Sequence, residues 1–158
     1  MRLFDYENAK KPIEQCLELR QKNLPANDEA TVKAQKKKHD IEDHKLAYQK
    51  FEEANKLFKT KQYTDALPLY EKAIKLHLLD DERLALYHYN TGSCYDRLKN
   101  IDKAIQHTGL AYEKRLNLYG EKDASTLKAK NKLARLQQQE EVGLSDTQEN
   151  VSVSTLRL

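Results

Sequence analysis

Histidine and cysteine are the side chains in this sequence best suited to metal binding or catalysis, and their spacing favours neither. Zinc sites usually take their ligands from closely spaced pairs of Cys and His. Cys16 and Cys94 are far apart, and His39 and His44 are five residues apart, which directs them to different faces of a helix. The other histidines are His77, His88 and His107. We therefore predict no metal site and two reduced cysteines.

Nucleophiles and paired carboxylates also lack the partners that catalysis needs. The segment 91–94 (TGSC) contains possible nucleophiles, but the sequence indicates no base beside them. The acidic pairs at 80–81 and 140–141 fall at expected helix ends, where such residues are typical caps or dipole partners. The 4 glycines are scattered and form no phosphate-binding loop. We predict no catalytic residue and no cofactor, and therefore a protein that is not an enzyme.

The overall composition indicates a helical protein without an obvious affinity for nucleic acid or membranes. Hydrophobic residues make up 39% of the chain and charged residues 34%, with few Gly and Pro, which disfavours both disorder and an all-β fold. The net charge of +3 gives no bulk reason to bind nucleic acid or a membrane surface. No apolar run approaches the roughly 18 to 20 residues that span a bilayer, and no signal peptide is evident. A cytoplasmic location is the expectation.

One pattern of larger and small residues, spaced three, four and three positions apart, occurs three times. This spacing marks one face of a helix, and small residues on that face let a neighbouring helix approach closely. Ala54 and Gly92 each precede one copy by nine residues and indicate a second type of helix. Such helix pairs are typical of helical solenoids. The copies are Tyr6-Ala9-Ile13-Cys16, Tyr63-Ala66-Tyr70-Ala73 and Ile101-Ala104-Thr108-Ala111.

These residues resemble the tetratricopeptide repeat (TPR), which implies an all-α fold of antiparallel helix pairs stacked as a short right-handed solenoid. The connector and helix at 117–134, and Pro68 early in a second helix, look like kinesin-light-chain-type repeats. The connector recurs at 28–34. In both copies an Asp precedes a Thr by three residues, so we predict that this Asp caps the following helix.

The repeat predicts helices near 5–22, 29–59, 63–79, 82–98, 101–118 and 123–141. The stretch 29–59 is too long for an ordinary first helix, so it is either one long helix, which we favour, or two helices that break near Asp40. The TPR-like domain is predicted to span 1–141, with half-repeats at 4–22 and 123–141 and repeats at about 47–80 and 85–118. We predict a flexible tail at 142–158 because its helical periodicity is lost.

The first helices of such pairs line the concave surface of a solenoid, where peptides or helices bind. Tyr and Arg are common interface anchors, and Asn can pair with a peptide backbone. The predicted groove is basic, so we expect a protein or peptide ligand with an acidic segment or a C-terminal carboxylate. Its predicted residues are Tyr48, Phe51, Asn55, Lys59, Tyr89, Asn90, Ser93, Arg97, Lys128, Asn131, Lys132 and Arg135.

A more specific form of this site resembles the carboxylate clamp of chaperone-binding TPR domains, which has five members. Four of them are matched here by Asn55, Asn90, Lys128 and Lys132, and Phe51 takes the place of the fifth, a Lys.

Two functional alternatives remain open from the sequence. A binding adaptor is the first hypothesis. The second is a structural protein that forms homo-oligomers through its unpaired end helices or by exchange of the long helix.

Overall fold

The computed structural model describes the backbone of residues 3–23, 28–76 and 82–155, and the side chains of 6–23, 28–76 and 82–142. Within these ranges the chain is helical, without a strand, and consecutive helices pack against one another. This confirms the predicted all-α class. The helices are α1 (Leu3–Asn23), α2 (Glu29–Lys59), α3 (Tyr63–Leu76), α4 (Glu82–Arg97), α5 (Ile101–Tyr119) and α6 (Ala124–Thr155).

The two predicted Asp caps are confirmed at the starts of α2 and α6. Asp28 Oδ2 accepts hydrogen bonds from the backbone N and Oγ1 of Thr31, both at 2.9 Å. Asp123 Oδ1 accepts from the backbone N of Thr126 at 3.0 Å. A cap of this kind contributes about 1 kcal/mol to helix stability. The first cap starts a helix that runs unbroken to Lys59, which confirms the single long α2.

The end of the last helix differs from the sequence prediction. The last helix was expected to end near 141, and the structure continues α6 to Thr155. Ser, Thr and Gly lower helix propensity by only about 0.5 to 1 kcal/mol each, and the segment contains no Pro that would stop the helix. The flexibility predicted for 142–158 stays a prediction. The helix end predicted at 79 lies outside the described residues, since α3 is described as far as Leu76.

The small residues of the repeat pattern lie where helices approach most closely. Ala66 and Ala73 of α3, and Ala104 and Ala111 of α5, have no exposed surface. Replacing a fully buried small residue by a larger one forces neighbouring backbone to move. The predicted role of these residues in close helix packing is therefore confirmed for α3 and α5.

An aromatic cluster fills the space between α2, α3 and α4. Phe51 is 3% exposed, and its ring lies 4.3 Å from the ring of Tyr87 and 5.7 Å from that of Tyr70, measured between centroids. Aromatic rings at these separations add to the stability gained from burying their area. Phe51 was predicted to line the groove, and the structure instead places it in this core.

Gly92 is the point of closest approach between α4 and α5. A Cβ atom added at Gly92 would lie 2.6 Å from Thr108 Oγ1, 3.1 Å from the Thr108 backbone N and 3.2 Å from the Ala104 carbonyl oxygen. Two of these three atoms belong to the backbone of α5 and cannot rotate away. Glycine at this position is therefore required by the distance between the two helices.

Gly92→Ala is expected to lower the free energy of unfolding by about 1 to 3 kcal/mol, because the added methyl group forces α4 and α5 apart. Gly109→Ala is the matched control, since a Cβ there meets nothing within 4 Å. It should raise stability by about 0.5 to 1 kcal/mol through helix propensity alone. Urea denaturation followed by circular dichroism measures both, and equal effects of the two substitutions would contradict the close-packing role of Gly92.

Candidate peptide-binding groove

Tyr89 lies at the centre of the groove and is surrounded by three cationic side chains. The Arg115 guanidinium carbon is 4.6 Å from the centroid of its ring, Lys132 Nζ is 4.8 Å away, and Lys128 Nζ is 5.7 Å away. These distances fit cation–π interactions. α4 supplies the ring, α5 the arginine and α6 both lysines, so three helices converge on Tyr89.

Arg115 connects the ring of Tyr89 to the first turn of α6. It is 8% exposed, and its Nη1 donates a hydrogen bond of 2.9 Å to the carbonyl oxygen of Ser125 in the first turn of α6. Burial lowers the pKa of Arg115, and the charges of Tyr89 and Asp123 act in the opposite direction. The sequence analysis missed Arg115, although it lies four residues after Ala111 on the small-residue face of α5, which could have revealed it.

A pair of asparagines forms the side of the groove next to α2. Asn55 Oδ1 accepts hydrogen bonds from Tyr70 Oη at 2.8 Å and from Asn90 Nδ2 at 3.0 Å. These bonds fix the orientation of both amides. Asn55 Nδ2 makes a contact of 3.5 Å with Glu52 Oε1 at the surface. The remaining polar atoms of the two amides are a donor on Asn55 and an acceptor on Asn90.

Lys132 is a half-buried cation whose hydrogen-bond partner is a neutral group. Its ammonium donates to Ser93 Oγ, which in turn donates to the carbonyl oxygen of Tyr89 at 2.9 Å. Burial lowers the pKa of Lys132 to about 8, while Asp96 raises it and Arg135 and other nearby cations lower it further. Among the described residues no carboxylate oxygen lies within 4.0 Å of this ammonium.

Most of the predicted groove residues are brought together. A cavity of about 460 Å³ between α2 and α4 is lined by five of them, and Lys128 and Lys132 reach the same ring of Tyr89 from α6. A space of this volume suits a few side chains of a bound peptide. The five lining residues are Asn55, Lys59, Tyr89, Asn90 and Ser93.

Other predicted residues lie at the edges of this centre. Arg135 Nη2 forms an ion pair of 2.6 Å with Asp96, and both line a neighbouring cavity with Arg97. Tyr48 is half-buried on α2, seven residues before Asn55, and Asn131 is exposed on α6. The structure gives neither of them a polar contact with the groove centre, so their role in binding stays a prediction.

His88, His107 and Cys94 lie at contacts between helices. His88 Nδ1 and His107 Nδ1 are 3.0 Å apart between α4 and α5, and burial lowers the pKa of His107. Both cysteines are free thiols, and Cys94 is buried, with its thiol donating a hydrogen bond to the Tyr63 carbonyl oxygen. Within the described ranges, His, Cys, Asp and Glu form no group of three or more that could hold a metal ion.

A further observation concerns membranes. None of the helices that the structure describes is both long enough and apolar enough to cross a bilayer.

Comparison with known proteins supports a helical repeat protein. The family model described as "Soluble NSF attachment protein, SNAP" matches residues 18–150. An 80-residue stretch is 34% identical to the Hsp70-Hsp90 organising protein of Plasmodium falciparum (isolate 3D7), covering 51% of this chain and 12% of that protein. The TPR-like character of the chain is thus confirmed.

A second relative is similar over a shorter stretch. Over 62 residues the chain is 36% identical to Dynein axonemal assembly factor 4 of Pongo pygmaeus and of Pan paniscus, covering 39% of this chain and 14% of each relative. The chain therefore spans a small part of the length of these curated relatives. The finer resemblance to kinesin-light-chain-type repeats stays a prediction.

Lys132→Met is expected to raise the free energy of unfolding at pH 7 by about 1 kcal/mol, because Met fills the same space without a buried charge. The folded-state pKa of Lys132, about 8, is below its ordinary value of 10.5. The folded protein therefore releases this proton first, and wild-type stability gains from rising pH between about 8 and 10.5. Urea denaturation should show that the difference in free energy of unfolding between Lys132→Met and the wild type is smaller at pH 9.5 than at pH 7.

Lys130→Met provides the control for this measurement. Lys130 lies on the same helix, is exposed, and pairs with Glu121 at 2.8 Å. Its removal should give no stabilisation at pH 7. A Lys132→Met variant that is no more stable than the wild type at pH 7 would show that the ammonium is well solvated in the groove.

Proposed function

This chain belongs to the soluble NSF attachment protein family, and from that premise we propose that it is an adaptor that binds an acidic peptide segment in the groove around Tyr89. The proposal includes a preference for a segment that ends in a free C-terminal carboxylate. The single observation that carries it is the half-buried Lys132 ammonium, which has no carboxylate within 4.0 Å among the described residues.

The electrostatic argument starts from the cost of burying this charge. An ammonium group removed from water is stabilised when a carboxylate binds it in the same low-dielectric environment. Lys128 Nζ lies 5.7 Å from the centroid of the same Tyr89 ring and adds a second positive charge. A carboxylate entering between the two lysines supplies the counter-charge that Lys132 lacks.

The asparagine pair gives the ligand a direction. Asn55 and Asn90 are joined through Asn55 Oδ1 and Asn90 Nδ2, so the remaining donor on Asn55 and acceptor on Asn90 match the C=O and N–H groups of an extended peptide. Because Asn55 Oδ1 is held by two hydrogen bonds, little conformational entropy is lost when a ligand binds these amides. A peptide backbone held here places its terminal carboxylate towards α6.

The carboxylate clamp suggested by sequence resemblance is retained in a modified form. Asn55, Asn90, Lys128 and Lys132 surround the same groove centre. Phe51, at the position of the fifth member, is in the core. The clamp proposed here therefore depends on Lys132 and Lys128 for its charge.

Self-association is a second candidate function, favoured by exposed apolar side chains on the first and last helices. Leu19 of α1 is 63% exposed, and Leu127 and Val142 of α6 are 40% and 56% exposed. Light scattering over a range of protein concentrations tests this alternative. A molar mass that stays at the monomer value at high concentration would exclude it.

The adaptor proposal predicts how affinity for an acidic peptide responds to substitution and pH. A fluorescein-labelled octapeptide of Asp, Glu and Leu with a free C-terminal carboxylate should lose about tenfold or more in affinity with Lys132→Met, since a charged hydrogen-bonded pair is removed. Wild-type affinity should fall between pH 7 and pH 9.5, because Lys132 is deprotonated above about pH 8. Fluorescence polarisation measures both effects.

Lys130→Met and the C-terminal amide of the same peptide are the controls. Lys130→Met removes one charge from α6 outside the groove and should change affinity by less than about twofold, as expected for an exposed charge. The amide peptide should bind more weakly to the wild type and be insensitive to Lys132→Met. Equal binding of acid and amide peptides would disprove the carboxylate preference.

A further inference from the structure

Two lysines occupy backbone conformations that ordinarily belong to glycine. Lys61 and Lys99 have φ angles of 64° and 62°, in the left-handed region. Lys61 follows the end of α2 and Lys99 the end of α4, and the hydrogen bonds around them are the same: Gln62 N donates to the Leu57 carbonyl and Asn100 N to the Tyr95 carbonyl. This helix ending normally has Gly at the left-handed position, because a Cβ atom there is unfavourable.

Neither lysine makes a local contact that explains its presence. In the part of the chain that the structure describes, Lys61 and Lys99 have no carboxylate within 4.0 Å. A cation in the last turn of a helix interacts favourably with the helix dipole, which accounts for Arg97 in α4. Lys61 and Lys99 lie beyond the last turn, so this explanation does not extend to them.

Both lysines line one cavity, which we call the basic rim. It has a volume of about 510 Å³, and its charged lining consists of Lys61, Lys99, Arg97, Arg135 and Asp96. Asp96 is the one carboxylate in this lining, and it already pairs with Arg135 at 2.6 Å. Lys61 and Lys99 from two interhelical turns and Arg97 from the end of α4 therefore face the same space, without an ion-pair partner among the described residues.

The basic rim is continuous with the groove. Arg135 follows Lys132 by three residues on α6, and Arg97 follows Ser93 by four residues on α4. At 1.5 Å per helical residue, the groove centre and the basic rim are about 5 Å apart along each of these helices. A ligand held at Lys132 can thus reach the rim with its next few residues.

We propose that the basic rim binds a phosphorylated side chain of the same peptide that occupies the groove. The inference rests on the proposed function and adds a second subsite to it. A phosphate monoester carries between one and two negative charges near neutral pH and three acceptor oxygens, which suits several converging cations better than a single carboxylate does. The guanidinium group of Arg97 can donate hydrogen bonds to two of these oxygens at once.

The geometry limits where the phosphate lies in the ligand. An extended peptide advances about 3.3 Å per residue. With the terminal carboxylate at Lys132 and the rim about 5 Å away along the helices, a side chain about two residues upstream reaches the rim, and the peptides with longer spacings test how far the site extends. Phosphorylation at such a site would strengthen binding, so the adaptor would recognise a modified state of its partner.

The experiment uses four forms of one acidic octapeptide, with Ser or phosphoserine at the upstream position and a C-terminal carboxylate or amide. The phosphoserine is placed two, three, four and five residues before the end in separate peptides. Fluorescence polarisation should show that phosphorylation raises wild-type affinity about tenfold at one or more spacings. The gain should persist in the amide peptide, because the rim acts independently of the carboxylate subsite.

Variants then assign the gain to the rim. Lys61→Gly with Lys99→Gly fits the left-handed backbone and should fold with an unchanged or higher melting temperature. It should abolish the phosphorylation gain and leave the affinity for the unphosphorylated peptide within about twofold. Arg97→Gln offers a second variant that leaves the turns intact. Lys36→Gln with Lys37→Gln removes two exposed charges elsewhere on α2 and should behave as the wild type.

Each outcome is decisive. Binding of the unphosphorylated acid with no gain from phosphorylation at any spacing overturns the rim proposal and leaves the groove proposal intact. A gain from phosphorylation without any preference for the carboxylate over the amide overturns the carboxylate preference proposed for the groove and leaves the rim proposal intact. A gain that survives in the Lys61→Gly, Lys99→Gly variant places the phosphate elsewhere. Sedimentation with vesicles containing phosphatidylserine that depends on Lys61 and Lys99, without a peptide gain, reassigns the rim to a lipid surface and overturns the proposal.

Discussion

The contact between α4 and α5 at Gly92 is the constraint on which the groove depends. Because no side chain separates the helices there, Thr108 lies directly against the α4 backbone. Arg115 follows Thr108 by about two turns on the same face of α5, and this brings its guanidinium under the ring of Tyr89. A wider spacing of α4 and α5 would move Arg115 away from the ring of Tyr89. The close packing and the binding surface are therefore one structural requirement.

The charge distribution of the groove opposes stability in the free protein and would favour the binding of the proposed anionic ligand. Lys132 is buried enough to lower its pKa to about 8, and Lys128, Arg97 and Arg135 lie near it. Like charges held together are unfavourable until an anion joins them. A side chain chosen for stability alone would be apolar at this position, since the site is already half enclosed. A cation at a position that would suit an apolar group is the strongest physical argument for the proposed anionic ligand.

The sequence predicted features that follow from local rules, and it missed those that depend on helix orientation. The Asp28 and Asp123 caps follow from side-chain reach within one turn, so their prediction needed no tertiary information. Phe51 was placed in the groove because helical periodicity alone cannot locate the boundary between a buried face and a concave face. Burial of its ring beside Tyr87 depends on how α2 is rotated about its axis, which only packing determines. Arg115 was missed for the same reason, since a charged residue on a small-residue face looks like an exception until its partner ring is known.

The two halves of α2 are held in different ways, and this difference sets the limits of the groove. The C-terminal half contributes Ala47, Phe51 and Ala54 to the apolar core beside α3 and α4. The N-terminal half meets α1 partly through ion pairs, Lys10 with Glu42 at 2.9 Å and Lys38 with Glu14 at 3.0 Å. Exposed ion pairs contribute little and weaken with salt, whereas apolar burial does not. Salt should therefore loosen α1 more readily than the groove. Since Asn55 and Tyr89 are positioned by the apolar half, the shape of the binding surface does not rest on these ion pairs.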